Sequence, residues 1–510
     1  MAADVTQRTF LGHPIGLFFL FFTEMWERFS YYGMRAILVL YLVQQNTGDN
    51  PGLGWANGEA LALYGWYTMF VYVASIPGGI IADRYLGQKK TVLWGGILLV
   101  IGHSILAIEA PWAFYTGLIF IVLGVGGLKP NISTMVGGLY GHKDTRRDMG
   151  FYIFYMGINL GAALSSIAVG YVGQRIGWHY GFGMAGIGMA LGLITYMAGQ
   201  KYLAGVGDIV KKEAGDDKPE VNLFGDIFKH TNSIIGTSIV AVLGVIVWMT
   251  IGWDYGLLVL ALSLAVGVAI VIYNDGNEIE KDRIKVMYLS FIIIIVFWGS
   301  FEQAGGLMNI YANEKTDLVF AGFNVPASWF QSVNAIFILV FATIVGSFWA
   351  WWRNRGRESS SIFKMAIGVI IMGWGFLFMS VASMQVKYDE AGEIIHRSAM
   401  YWLVLAYLFH TIGELCASPV ALSFITKLAP ARWMAFMMGA YFAVTGLGNK
   451  VAGSLGELSE SVGEFAIFTG IAIFCTIIGL LVITIIKPLK RLAHGAEEVE
   501  LKPQKAAVGE

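Results

Sequence analysis

Leu17-Phe18-Phe19-Leu20-Phe21-Phe22-Thr23-Glu24-Met25-Trp26-Glu27-Arg28-Phe29-Ser30-Tyr31-Tyr32-Gly33-Met34-Arg35-Ala36-Ile37-Leu38-Val39-Leu40 sets four charges inside an otherwise apolar run. The run extends from about Pro14 to Val43. A helix needs about 20 such residues to cross a bilayer. It is too long for a signal-peptide core, so a retained first span is expected rather than a cleaved leader. Glu24, Glu27, Arg28, Tyr31, Tyr32 and Arg35 fall at helical spacing and form one polar stripe on one face. A charge at the bilayer centre costs at least ~2.5–3.5 kcal/mol on insertion scales. Two readings meet here: an ion-pair ladder that stabilises a helix bundle, or a working face turned to a cavity. Six polar groups in one span are more than stability requires, which favours the second.

Working outward, the rest of the chain resembles this run in hydropathy. Of 510 residues, 56% are hydrophobic and 14% charged, against about 25% charged in a soluble domain. Mean hydropathy is +0.63, and Gly (64) and Trp (16) are abundant, as in membrane spans and their interfaces. The net charge of −1 and the lack of a basic face exclude nucleic acid as a partner. Cys416 and Cys475 sit in apolar stretches and read as inert packing thiols.

Fourteen runs are long enough to span, near 14–44, 57–82, 91–109, 112–138, 148–173, 180–202, 235–252, 255–273, 286–311, 327–352, 362–384, 399–428, 432–458 and 464–486. With both termini in the cytoplasm, only Arg175, Lys315, Lys387 and Arg397 of the 34 Lys and Arg fall in external loops. Arg84, Lys89, Lys90, Lys143, Arg146, Arg147, Arg353, Arg355 and Arg357 fall on the cytoplasmic side, as the positive-inside rule requires. One missed or invented helix would invert every later loop. The fold class expected is therefore all-α and polytopic, with 14 transmembrane helices. Its parts are an N-terminal six-helix bundle (1–203), a cytoplasmic linker (204–234), an accessory hairpin (235–274), a C-terminal six-helix bundle (275–490) and a cytoplasmic tail (491–510). Paired halves with a site between them are the plan of a secondary transporter.

Ionisable residues well inside the spans are Glu24, Glu27, Arg28, Arg35, Lys129, Glu302, Glu414 and Lys450. Lys129 precedes Pro130, whose ring interrupts the helix ladder, as in a helix that bends beside a cavity. Asn159, Trp298, Asn334, Ser418 and His410 add single polar or aromatic groups on other spans; alone, each would read as interhelical glue or core. Lys450 could pair with an acid or snorkel. Arg and Lys suit a carboxylate, Glu and Asn suit an ammonium, and Tyr and Trp shape an adaptable wall. A site with both signs fits a zwitterion. A buried carboxylate that exchanges cation partners changes its affinity for protons, which would couple ligand to proton.

Several stretches resemble one family. Glu24-Met-Trp-Glu27-Arg28-Phe29-Ser30-Tyr31-Tyr32 is similar to the ExxERFxYY signature of the proton-dependent oligopeptide transporters, within the major facilitator superfamily. Gly79-Ile-Ile-Ala-Asp83-Arg84-Tyr-Leu-Gly87-Gln-Lys89-Lys90 resembles the superfamily loop motif. Phe154-Tyr155-Met-Gly-Ile-Asn159-Leu-Gly161, Phe301-Glu302-Gln303 and Gly413-Glu414 through Pro419 resemble further family stretches. The resemblance implies the major facilitator fold and proton-coupled import of di- and tripeptides, with peptide-like drugs as further candidates. It implies that Arg35 and Lys129 bind the peptide carboxylate and that Glu414 and Asn334 receive the amino terminus. Tyr31, Tyr32, Tyr72, Asn159 and Ser418 would line the peptide site, with Trp298 and Tyr441 in side-chain pockets. Glu24, Glu27, Arg28, Lys129 and Glu302 would carry proton coupling, Glu302 by pairing with Arg35. Asp83 and Arg84 would act in gating. Tyr441 stands where some members have Trp, and the short segment 385–398 lacks the large external domain of animal members, which favours a bacterial inner-membrane protein.

The same fold carrying another substrate, such as nitrate or a small amphoteric metabolite, is the alternative; an anion-only site would not need Glu414. An intramembrane enzyme is not expected, since no HExxH run occurs and the buried acids lie beside cations on three helices. A channel is not expected either, because ion-pair candidates occur in both halves. No cofactor or metal is implied beyond protons as the coupling ion, and no obligate protein partner.

Overall fold

A computed structural model describes residues 9–141, 144, 146–209 and 223–496. Lys143, the middle of the expected linker (210–222) and the end of the expected tail (497–510) lie outside the described residues. Fourteen long helical segments follow in order. They are α1 (Ile15–Val43), α2 (Asn57–Leu86), α3 (Gln88–Leu106), α4 (Pro111–Gly138), α5 (Arg147–Arg175), α6 (Trp178–Tyr202) and α7 (Thr231–Thr250). Then come α8 (Trp253–Asp275), α9 (Glu278–Lys315), α10 (Ala327–Asn354), α11 (Ser361–Gln385), α12 (Tyr401–Leu428), α13 (Met434–Val462) and α14 (Glu464–Thr484). Twelve are apolar enough to cross a membrane by length and composition. The exceptions are the 29-residue helices α1, with its four charges, and α13, with Asn449 and Lys450 at mid-length. Among the described residues, strand is confined to four short two-stranded ribbons in connections. The chain is an all-α, polytopic integral membrane protein.

The segments form two compact units. The larger comprises Met1–Val210, Phe291–Ala421 and Gly439–Thr484; the smaller comprises Lys211–Ser290, Leu422–Met438 and Ile485–Glu510. In the smaller unit α7 is the least enclosed span, with 11% of its window buried, which matches a lipid-facing hairpin. There Arg432 pairs with Asp275 at 2.7 Å and with Glu280 at 2.9 Å, and Trp433 donates to Asp275.

In the larger unit, small residues decide how closely helices approach. A Cβ on Gly161 of α5 would meet the Met25 carbonyl and the Arg28 stem of α1, so glycine is what lets α5 lie against the polar stripe. Gly65 of α2 and Gly453 of α13 face each other: a Cβ on Gly65 would stand 2.9 Å from the Gly453 Cα. α4 runs unbroken through Pro130, and α12 through Pro419. The amide of Asn131, one residue on, donates to the Gly127 carbonyl at 2.7 Å.

Candidate functional site

The polar stripe of α1 is buried, as its spacing predicts. Arg28 Nε lies 2.7 Å from Glu24 Oε1 and 2.9 Å from Glu27 Oε2, with all three side chains almost wholly enclosed. Seven residues on, two turns along the helix, Arg35 Nη1 donates to Glu302 Oε1 at 2.7 Å and Nη2 donates to Gln331 Oε1 at 3.2 Å. Tyr64 of α2 donates its hydroxyl to the same Glu302 oxygen. The guanidinium of Arg35 also lies over the Tyr32 ring, 4.9 Å from its centroid, and Tyr31 packs edge-on to Tyr32. Glu302 sits at the start of a 3-10 turn within α9 (Glu302–Ala304).

Lys129 of α4 stacks its ammonium on Tyr72 of α2 at 3.6 Å, a cation–π contact, and lies within electrostatic range of Arg28, Glu27, Glu24 and Glu302. Asn334 of α10 donates to Glu414 Oε2 of α12 at 2.9 Å and to the Thr411 hydroxyl at 3.0 Å. Glu414 in turn lies within electrostatic range of Arg35 and Glu302, and Tyr155 within range of Glu414. Asn159 of α5 is buried and donates to the Tyr155 carbonyl at 3.0 Å. Trp298 and Tyr441 interact across α9 and α13, and Ser418 is half-buried one turn beyond Glu414. Four helices, α1, α4, α9 and α12, thus bring cations and acids into one cluster. Two poles can be told apart: Arg35 with Lys129, and Glu414 with Asn334. Glu24 Oε2 and Glu27 Oε1 hydrogen-bond no protein group among the described residues, so the α1 acids keep acceptor capacity.

Four expected residues stand apart from this cluster. Asp83 and Arg84 lie exposed in a π-helical turn at the end of α2 (Ala82–Leu86). His410 is buried against Phe376, ring centroids 4.4 Å apart, with neither ring nitrogen hydrogen-bonded. Lys450 is 1% exposed, so it does not snorkel; its ammonium lies 4.7 Å from the Trp66 ring centroid. Sequence reasoning missed Tyr64, Gln331 and Thr411. Tyr64 had a signal, since Tyr64 and Tyr72 are eight apart and share a face of α2.

On the side of the cluster away from the N-terminus, further bonds tie α1, α2 and α5 to α9, α10 and α13. Glu314 accepts from Asn57, and Glu460 accepts from the backbone N–H of Gly58 at 2.6 Å, at the start of α2. Gln174 accepts from Ser328 at 2.7 Å, Ser332 donates to the Ala163 carbonyl at 2.8 Å, and Asn309 donates to the Ala36 carbonyl at 2.9 Å.

A bundle of spanning helices that gathers opposite charges in its interior, with polar bonds between its helices to one side of them, has the makings of a secondary transporter. The sequence model of the POT family matches residues 89–468, and the chain belongs to that family. It is 35% identical over 516 residues to the peptide transporter YePEPT of Yersinia enterocolitica subsp. palearctica, covering 96% of this chain and 97% of that one. It is 34% identical over 508 residues to a di-/tripeptide transporter of Lactococcus lactis subsp. cremoris, covering 96% and 98%. The crystal structure of the peptide transporter POT in complex with sulfate superposes with a TM-score of 0.81 at 35% identity, covering 95% of this chain and 97% of that one.

Proposed function

We propose that this chain imports di- and tripeptides in symport with protons. The observation that carries the reading is the pair of opposite poles in one buried cluster, Arg35 with Lys129 and Glu414 with Asn334. A peptide backbone is a zwitterion of varied side chain, and such poles hold its two ends while the aromatic wall of Tyr31, Tyr32, Tyr72, Trp298 and Tyr441 tolerates what lies between. Asn159 and Ser418 complete the lining. The relatives named as peptide and di-/tripeptide transporters support the substrate class.

Coupling follows from exchange of partners. The Arg35–Glu302 pair closes the side away from the N-terminus. When Glu302 takes a proton, the attraction that holds Arg35 is lost, and Arg35 is freed for a peptide carboxylate. Glu24, Glu27 and Arg28, within reach of Lys129, form the second protonatable group. Removing the proton on the far side restores the pair and releases the peptide. A zwitterionic peptide carries no net charge, so the moving charge is the proton's. One charge across 100 mV supplies ~2.3 kcal/mol, and ~1.4 kcal/mol is a tenfold accumulation. No other cofactor is called for, and neither a nucleic acid nor an obligate protein partner.

The two six-helix halves, joined through the linker and the α7–α8 hairpin, rock about this cluster in alternating access. Both termini face the cytoplasm, as the Lys and Arg distribution directs, and the protein resides in a bacterial inner membrane. The closed side is then the outer one, and Asp83 and Arg84 lie on the cytoplasmic gating side. The test is uptake by purified protein in liposomes under an imposed potential, with a panel of di- and tripeptides against free amino acids and nitrate. Accumulation of peptides that collapses with a protonophore is expected. Uptake of nitrate in preference to every peptide would overturn the reading.

A further inference from the structure

Away from the central cluster, at the ends of α1, α3, α4 and α6 opposite the N-terminus, the larger unit carries a half-open hollow of about 390 Å³. That is within the ~300–1,000 Å³ of small-molecule sites. Five aromatic rings stand in its walls, Tyr41, Trp55, Phe114, Tyr115 and His179, among apolar and small residues of the two connections. Tyr41 lies 5.4 Å from the His179 ring and 6.0 Å from Phe114, Trp55 lies 6.3 Å from Phe114, and Phe114 lies 5.2 Å from Tyr115. The lining holds one carboxylate, Glu109, and neither Lys nor Arg.

The walls are fixed in place. The segment 51–55 folds back on the last turn of α1, its N–H groups donating to the carbonyls of Tyr41, Leu42, Gln44 and Gln45 that the helix end leaves unpaired. Asn50 accepts from the backbone N–H of Trp178 and donates to the Gly173 carbonyl, pinning the same loop to α5 and α6. His179 Nδ1 meets the Leu106 carbonyl at 2.9 Å, so that nitrogen carries the hydrogen and the ring is held edge-on to Tyr41. Aromatic residues at a membrane interface ordinarily point outward to lipid headgroups. Here Tyr41 and Phe114 are 6% and 5% exposed and pack on each other at the back of the hollow, while Tyr115 stands 51% exposed at its edge.

Aromatic faces around a gap with one carboxylate and no competing cation form the chemistry that recognises an organic ammonium ion. We propose that this hollow binds a small organic ammonium group. The group is either a free cation or the headgroup of an outer-leaflet lipid, the side following from the orientation proposed above. The site shares no residue with the peptide cluster, so it stands or falls apart from it.

The test uses full-length protein. Equilibrium dialysis of labelled tetramethylammonium is performed in detergent against potassium at equal ionic strength. Native mass spectrometry counts lipids retained from nanodiscs containing phosphatidylethanolamine or phosphatidylglycerol. Saturable binding of tetramethylammonium, or selective retention of phosphatidylethanolamine, is expected; the first identifies a free cation and the second a headgroup. Glu109→Gln and Tyr115→Ala should each weaken it at least tenfold at an unchanged thermal unfolding midpoint, whereas Glu390→Gln on another loop should not. Neither ligand binding the wild type selectively, or both variants binding as the wild type does, would overturn the proposal.

Discussion

Arg35 of α1 and Glu302 of α9 lie 2.7 Å apart, 267 residues from one another in sequence, and Tyr64 of α2 donates to the same carboxylate oxygen. Three helices are therefore closed on one atom. A buried charge deprived of its partner is costly, about 3–5 kcal/mol where such pairs have been broken. An element that trades this pair for a proton and a ligand has two well-separated states.

Glu302→Gln keeps a hydrogen-bond acceptor for Tyr64 and removes the charge that holds Arg35. Gradient-driven peptide uptake should fall at least tenfold, while exchange of internal for external peptide continues. Both are read in the same liposomes, with and without an imposed pH gradient. Equal loss of exchange and driven uptake would assign Glu302 to binding instead of coupling.

Glu24→Gln and Glu27→Gln act on the second acidic group, where Arg28 meets both carboxylates within 3 Å. Each should lose pH-driven accumulation and keep peptide exchange. Retained accumulation in both variants would remove the α1 acids from coupling.

Much of this was legible in the sequence, for definite reasons. Charges are so expensive in an apolar span that Glu24, Glu27, Arg28, Arg35, Lys129, Glu302 and Glu414 stood out singly, and helical spacing already placed four of them on one face. Long-range pairing left a weaker trace. Tyr64 and Gln331 are neutral and ordinary in composition, and their part depends on partners that lie far off in sequence. α4 keeps its helical run through Pro130. Lys450 looked able to snorkel, but the structure buries it on Trp66.

Gly65 and Gly453 bring α2 and α13 into backbone contact. A side chain at position 65 would meet main-chain atoms, which cannot swing aside. Gly65→Leu should block closure of the outer side and reduce uptake at least tenfold. Gly79→Ala, where a Cβ meets nothing within 4 Å, should leave uptake near wild type. Initial rates of labelled dipeptide uptake, normalised to protein in the membrane, decide between these outcomes.

Asp144 lies in the connection before α5, and hydrogen bonds from the Arg146 side chain and backbone hold its carboxyl down at about 2. A depressed carboxyl contributes stability above its unfolded value and loses it as pH falls through the folded one. The contact is therefore intact throughout the range in which uptake is measured. Asp144→Asn should leave the pH profile of uptake unmoved. A displaced acid limb, read from initial rates against external pH, would place proton sensing at this surface.

Competition by end-blocked peptides bears most directly on the two-pole site. Labelled dipeptide uptake by the wild type, Arg35→Ala and Glu414→Ala is challenged with the free peptide, its C-terminal amide and its N-acetyl derivative. The account predicts that the wild type prefers the free peptide over both derivatives by tenfold or more. It also predicts that Arg35→Ala loses discrimination against the amide alone, and that Glu414→Ala abolishes uptake. Equal competition by free, amidated and acetylated peptides in the wild type would contradict it.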